Sequence, residues 1–273
     1  MSGVARWFYV WMAGACALIA FAGFAPTYWM QLPAGTFVGS PLLHLHGLLF
    51  SAWTLFFLLQ TTLVARGKAA RHRVWGLLGI SLATAMLLVG FAAADEVLGR
   101  RLEAGFGDKA RAFHIVSTSM ISLFGVLVGA AIAYIPRPEI HKRLMLLATI
   151  AILPPAIVRV FYAFNVGMSA GLRPGLGGPR TVESVMMSAW IADVLILVAM
   201  AHDWRTRGRV HPAYLIGGGA IVAVQLLRLP VSTTQWWYSV ADFLARLSTV
   251  IFSVPPAYWI STGMFEAPLL FGG

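Results

Sequence analysis

Uncharged apolar runs of about 20 residues recur along this chain of 273 residues, and each is long enough to cross the hydrocarbon core of a bilayer as a helix. In lipid every backbone N–H and C=O must be paired within the segment, so runs of this length are read as helices. Seven are predicted: Trp7 to Phe24, Leu43 to Val64, Val74 to Ala94, Phe113 to Tyr134, Leu144 to Phe164, Val185 to Ala201 and Ala213 to Leu227. Hydrophobic residues make up 59% of the chain and charged residues only 11%, against roughly 25% charged in soluble domains. A soluble enzyme, a disordered tail and a secreted disulfide scaffold are excluded. The single cysteine, Cys16, lies in the first run and makes no intramolecular disulfide. The stretch Ala13 to Cys16 lacks the leucine of a lipidation site, and the apolar run continues past it, so the first span is read as a retained anchor. The expected fold class is an all-α integral membrane protein of about seven transmembrane helices.

The formal charge is +10, but the basic residues sit in short loops between spans, which marks topology and not nucleic-acid binding. Arg66, Lys68, Arg71 and Arg73 follow span two; Arg137, Lys142 and Arg143 follow span four; Arg205, Arg207 and Arg209 follow span six. The opposite loops are uncharged (Ala25 to Pro41), balanced (Asp95 to Arg111) or glycine-rich (Gly171 to Pro179). Cytoplasmic loops carry the cations, so the amino terminus is expected inside and the carboxyl terminus outside, in a bacterial inner membrane. Residues 1–230 form one transmembrane bundle with its core at 43–164. Residues 231–273 form a periplasmic segment: Trp236 to Leu247 reads as an interfacial helix, Pro255-Pro256 stops it, and the glycine-rich end is a loose strap.

Seven histidines stand out in a chain with so few polar residues. Span direction places His44, His46 and His114 at the outer face, and His72, His141, His202 and His211 at the inner face. A porphyrin iron takes two axial imidazoles from opposite sides, and two neighbouring helices supply them when each presents one histidine at the same depth. Spans two to five offer this twice, as His44 or His46 with His114, and as His72 with His141. Two helical residues two apart point about 200° from each other, so only one of His44 and His46 faces the bundle. The face of His44, with Gly47, Ser51, Thr54 and Thr61, is favoured over that of His46, with Phe50, Trp53, Phe57 and Gln60. An extended segment would instead let His44, His46 and His114 chelate copper or zinc.

Over residues of about 44 to 160, this helix order and histidine depth resemble the transmembrane diheme cytochrome b family of ascorbate-dependent ferric reductases. The resemblance implies haem b near each face, held by His44 or His46 with His114 at the outer face and by His72 with His141 at the inner one. The strings His44-Leu45-His46-Gly47, His72-Arg73 and His141-Lys142-Arg143-Leu144-Met145 are also similar to those of uncharacterised bacterial multi-span membrane proteins. One departure is plain: His72 and His141 begin their spans beside arginines, shallower than a buried haem ligand.

Charges inside spans are costly and usually functional. Arg159 on span five, Asp193 on span six and Arg228 on span seven are the candidates. Arg159 is suited to neutralise a haem propionate or to bind a quinone oxygen or an anion. The structural alternative pairs Arg159 with Asp193, or Arg228 with Asp242 or Glu183. Pro154-Pro155 sits one turn before Arg159 and is expected to open a kink.

Absences narrow the functions further. All three lysines lie at loop positions, which excludes a retinal Schiff base, and no span carries two histidines about 13 apart, as quinol-oxidising cytochromes b do. Phosphate-binding and serine-hydrolase motifs are missing. The leading expectation is a haem b electron-transfer protein of the membrane, with quinone or other membrane-complex subunits as partners. Two alternatives stand beside it: an accessory or scaffold subunit of a larger respiratory or photosynthetic complex, and a transporter or channel around Arg159 and Asp193.

Overall fold

The computed structural model describes residues 3–37, 39–166 and 178–252, among which there is no strand. The helices are α1 (Gly3–Phe24), α2 (Pro41–Ala65), α3 (Ala69–Glu103), α4 (Gly107–Ala133), α5 (Pro138–Ala151), α6 (Pro154–Val166), α7 (Met186–Arg207), α8 (Pro212–Val231) and α9 (Gln235–Phe252). Seven stretches are long and apolar enough to cross a membrane, one of them running through α5 and α6 from Pro138 to Phe161. The chain is therefore a multi-span helical membrane protein, as its apolar runs require. The glycine-rich loop at 167–177, the strap at 253–273 with Pro255-Pro256, and the side chain of Arg6 lie outside the described residues.

Local chemistry fixes the helix ends. Proline occupies the start of α2, α5, α6 and α8, where its missing N–H is one no helix needs. Ser40 caps α2 by accepting the Leu43 N–H at 3.3 Å, and Gly208 ends α7 at φ 70°, a conformation glycine adopts without strain. Between α5 and α6, Pro154 and Pro155 offer no N–H, and the chain tightens so that the Leu153 N–H reaches the Ile150 carbonyl at 3.0 Å. The expected kink is thus a break between two helices.

The spans are longer than the hydropathy runs that announce them. The stretch 95–103, expected as a charged loop, continues α3 because its charges lie along one helix and partly pair there, Glu96 with Arg100 at 3.3 Å. The run of α7 likewise extends past Ala201 to carry His202 and Asp203.

Helices α1 to α5 pack in chain order, α1 also lies against α6, and α7 and α8 cover α5. The fifth span is the most enclosed. Trp53 of α2 sets its edge on Phe124 and donates its indole N–H to Thr149 of α5 at 3.2 Å, which satisfies a polar atom that lipid would leave unpaired. Helix α9 packs on α3 and α4, where Trp237 is buried with its indole N–H on the Arg111 carbonyl at 2.7 Å.

Candidate functional site

The structure gathers the sequence-selected residues into two places at opposite ends of the bundle. At the end that bears the cationic loops, His72 in the first turn of α3 meets His141 in the first turn of α5, with ring centroids 6.3 Å apart and planes at 74°. His72 Nδ1 lies 2.7 Å from Gln60 Oε1 of α2, and His141 Nδ1 lies 2.8 Å from the Ala131 carbonyl of α4. The Ala131 carbonyl can only accept, so His141 Nδ1 donates to it, while the Gln60 side-chain amide is the partner of His72 Nδ1. Four helices therefore hold the two imidazoles in place through these hydrogen bonds. Sequence spacing alone passed over Gln60 as a partner, although it shares its face with Trp53 and Phe57; a lone amide deep in an apolar run was the available signal.

At the other end a cavity of about 340 Å³ opens among the spans. His46 and His114 line it, with Arg100 and Arg101 of α3, Arg159 of α6, Arg180 and Arg228 of α8. Among the described residues no Asp or Glu lines it. Its ring of bases is positive, and its walls are otherwise largely apolar.

Here the structure reverses the preference for His44. His46 lines the cavity and His44 does not, although both faces are buried further along the helix, with Thr54 on one and Trp53, Phe57 and Gln60 on the other. His44 instead contacts the Tyr28 hydroxyl at 3.2 Å and packs against Phe37. Since the segment is helical, the chelating arrangement of His44, His46 and His114 is not formed, and no three His, Cys, Asp or Glu side chains among the described residues gather closely enough to hold a metal ion. His114 is engaged as well: its Nε2 stands 3.1 Å from Asp95 and 3.0 Å from the Thr118 hydroxyl. His46 stacks on Phe50 at 4.1 Å, and its buried Nδ1 has no hydrogen-bond partner.

The charges inside the spans take partners other than those expected. Asp193 accepts from Gln225 at 3.2 Å, Arg228 donates to Ser119 at 2.7 Å, and Asp242 pairs with Arg111 at 2.8 Å. Arg159 donates to the Pro155 carbonyl of its own turn at 2.7 Å and lies over the Phe24 ring at 4.4 Å. It stands at the opposite end of the bundle from His72 and His141, so it is no partner for a haem held there. Arg100 and Arg101 went unnoticed as site residues because their helix was expected to be a loop.

The remaining two histidines serve packing. His202 stacks on Phe8 with centroids 3.7 Å apart, and His211 caps α8 by accepting the Ala213 N–H at 3.1 Å.

Comparison with protein-family models, curated proteins and solved structures finds no match to this chain.

Proposed function

We propose that the protein is a haem b electron-transfer protein of the membrane, with His72 and His141 as axial ligands. The observation that carries this reading is the meeting of two imidazoles from separate spans at one end of the bundle. The ring centroids stand 6.3 Å apart with their planes at 74°, so one imidazole from α3 and one from α5 meet at the same end of the bundle. A bare ion needs three or four protein donors, and none joins this pair among the described residues. A porphyrin brings four nitrogens of its own and asks the protein for two, so the donor set fits haem better than copper or zinc. When bound, haem supplies one-electron exchange at a potential set by its axial ligands and their hydrogen bonds. The Gln60 side chain and the Ala131 carbonyl orient the rings.

This reading keeps one of the two sites that the diheme cytochrome b resemblance implies. At the other end His114 is held by Asp95 and Thr118, and His44 by Tyr28. The cationic loops are assigned to the cytoplasm of a bacterial inner membrane by the positive-inside rule, with α9 at the outer interface.

The test is an optical spectrum of the detergent-solubilised protein. Reduced-minus-oxidised haem absorption is expected, and it should vanish in His72→Ala and in His141→Ala; a wild-type sample without it refutes the proposal. A second reading, transport of an anion, is favoured by the arginine-lined cavity, and flux into liposomes tests it.

A further inference from the structure

An electron carrier whose haem sits between His72 and His141 leaves the cavity at the other end without a task, and that cavity is built in two layers. From His46 the lining of α2 descends to Thr54, eight residues or about 12 Å along the helix axis. The upper level carries His46, Arg100, Arg101 and His114, and the lower level carries Phe50, Gly90, Met120, Ile121 and Ile152. On α6, Arg159 stands five residues beyond the Pro154 break, rising from the apolar floor toward the basic ring.

Arg159 points to what fills the space. Its guanidinium is hydrogen-bonded to its own helix and stacked on Phe24, its Nε is buried with no hydrogen-bond partner, and no carboxylate among the described residues lies within ion-pair distance. A guanidinium in apolar surroundings without a counter-charge is held against a large desolvation cost, which an anion in front of it offsets. Guanidinium forks match phosphate oxygens in pairs, and here Arg228, anchored on Ser119, faces the same space. Below them the floor is apolar and closely packed at Gly90, where a Cβ would stand 3.3 Å from Ile121 Cδ1 and 3.4 Å from Phe50 Cζ.

We infer that this cavity binds a phosphate monoester of a lipid alcohol, its headgroup among Arg159, Arg228 and the other bases of the ring and its first apolar carbons on the floor around Gly90. The site is independent of the haem proposal, since neither His72 nor His141 lines it.

Binding of farnesyl phosphate, farnesol and inorganic phosphate to the purified full-length protein in a neutral detergent tests this. Farnesyl phosphate should bind saturably at one per chain, and more than about tenfold tighter than either of the others, because each lacks one of the two layers. Arg159→Gln should weaken farnesyl phosphate by about tenfold or more, the loss of a charge-assisted contact, without lowering the thermal midpoint of the ligand-free protein. Equal binding of farnesol, or unchanged affinity in Arg159→Gln, overturns the anion site. Inorganic phosphate binding as tightly as the lipid ester overturns the lipid assignment. The haem spectrum is read on the same samples, so failure of either proposal is seen separately.

Discussion

Arg143 of α5 and Asp203 of α7 form a two-pronged ion pair, Nε to Oδ2 at 2.8 Å and Nη2 to Oδ1 at 2.5 Å, with both side chains only 2% exposed. The fork matches the carboxylate in its own plane, and the pair is extended by Glu139, which takes Arg143 at 2.8 Å and Arg207 of α7 as well. Removing one partner leaves a buried charge without its complement, which costs about 3–5 kcal/mol. Arg143→Ala should therefore lower the thermal midpoint of the detergent-solubilised protein strongly, and Arg143→Met with Asp203→Leu should recover most of the loss. A double variant no better than the single one would show that the pair does not act as a unit.

Close by, His211 accepts the Ala213 N–H through Nδ1, which only the unprotonated nitrogen can do. Burial, followed by the charges of Arg143 and Arg207, holds its pKa below the usual 6.5. A base whose pKa is depressed on folding stabilises the fold above its unfolded pKa, and that contribution is lost as pH falls through about 6.5 and below. Thermal midpoints measured across pH 7.5 to 5 should show this decline, and His211→Asn, which caps without titrating, should flatten it.

Backbone contact joins α1 to α6. A Cβ on Gly23 would lie 2.7 Å from the Ala156 Cα and closer still to its carbonyl, so the helices approach only because position 23 has no side chain. Gly23→Ala should destabilise by about 1–3 kcal/mol through overpacking, measured as a loss of monodispersity and a lower midpoint. The same substitution at Gly14, where a Cβ meets nothing within 4 Å, should be silent.

Gln60 is the outer support of the haem proposal, since its amide oxygen holds His72 in place. Such partners contribute about 10–100-fold to the affinity of the site they orient. Gln60→Leu should retain folding and lose haem on dilution that the wild-type protein survives; unchanged retention would make the hydrogen bond incidental.

Span number and the pairing of His72 with His141 were legible in the sequence, because both follow from simple rules: apolar length fixes a span, and alternating direction fixes which histidines share an end. The choice between His44 and His46 went the other way. Gly47, Ser51 and Thr54 beside His44 do line the cavity, but His44 itself, at the start of α2, is drawn to Tyr28 and Phe37, which lie far from it in the apolar pattern. Helix ends were misplaced wherever charges follow an apolar run, since hydropathy registers the boundary with water and not the hydrogen-bond ladder, which carries α3 on to Glu103. The Arg143–Asp203 pair lay hidden for the same reason, with Asp203 assigned to a loop. Arg159 was found as a costly charge, yet its setting over Phe24 depends on the break at Pro154 and could not be deduced from spacing.

Helix α3 runs 35 residues from Ala69 to Glu103, about 52 Å at 1.5 Å per residue, with His72 near its first turn and Arg100 and Arg101 in its last. One rigid rod thus sets the proposed haem and the basic cavity on opposite sides of the dielectric barrier. A charge carried from one end of this rod to the other would cross most of the transmembrane field, gaining or losing about 2.3 kcal/mol per elementary charge per 100 mV. For an anion entering by the basic cavity, as in the transport reading, the potential of the cell membrane would then set the favoured direction of passage.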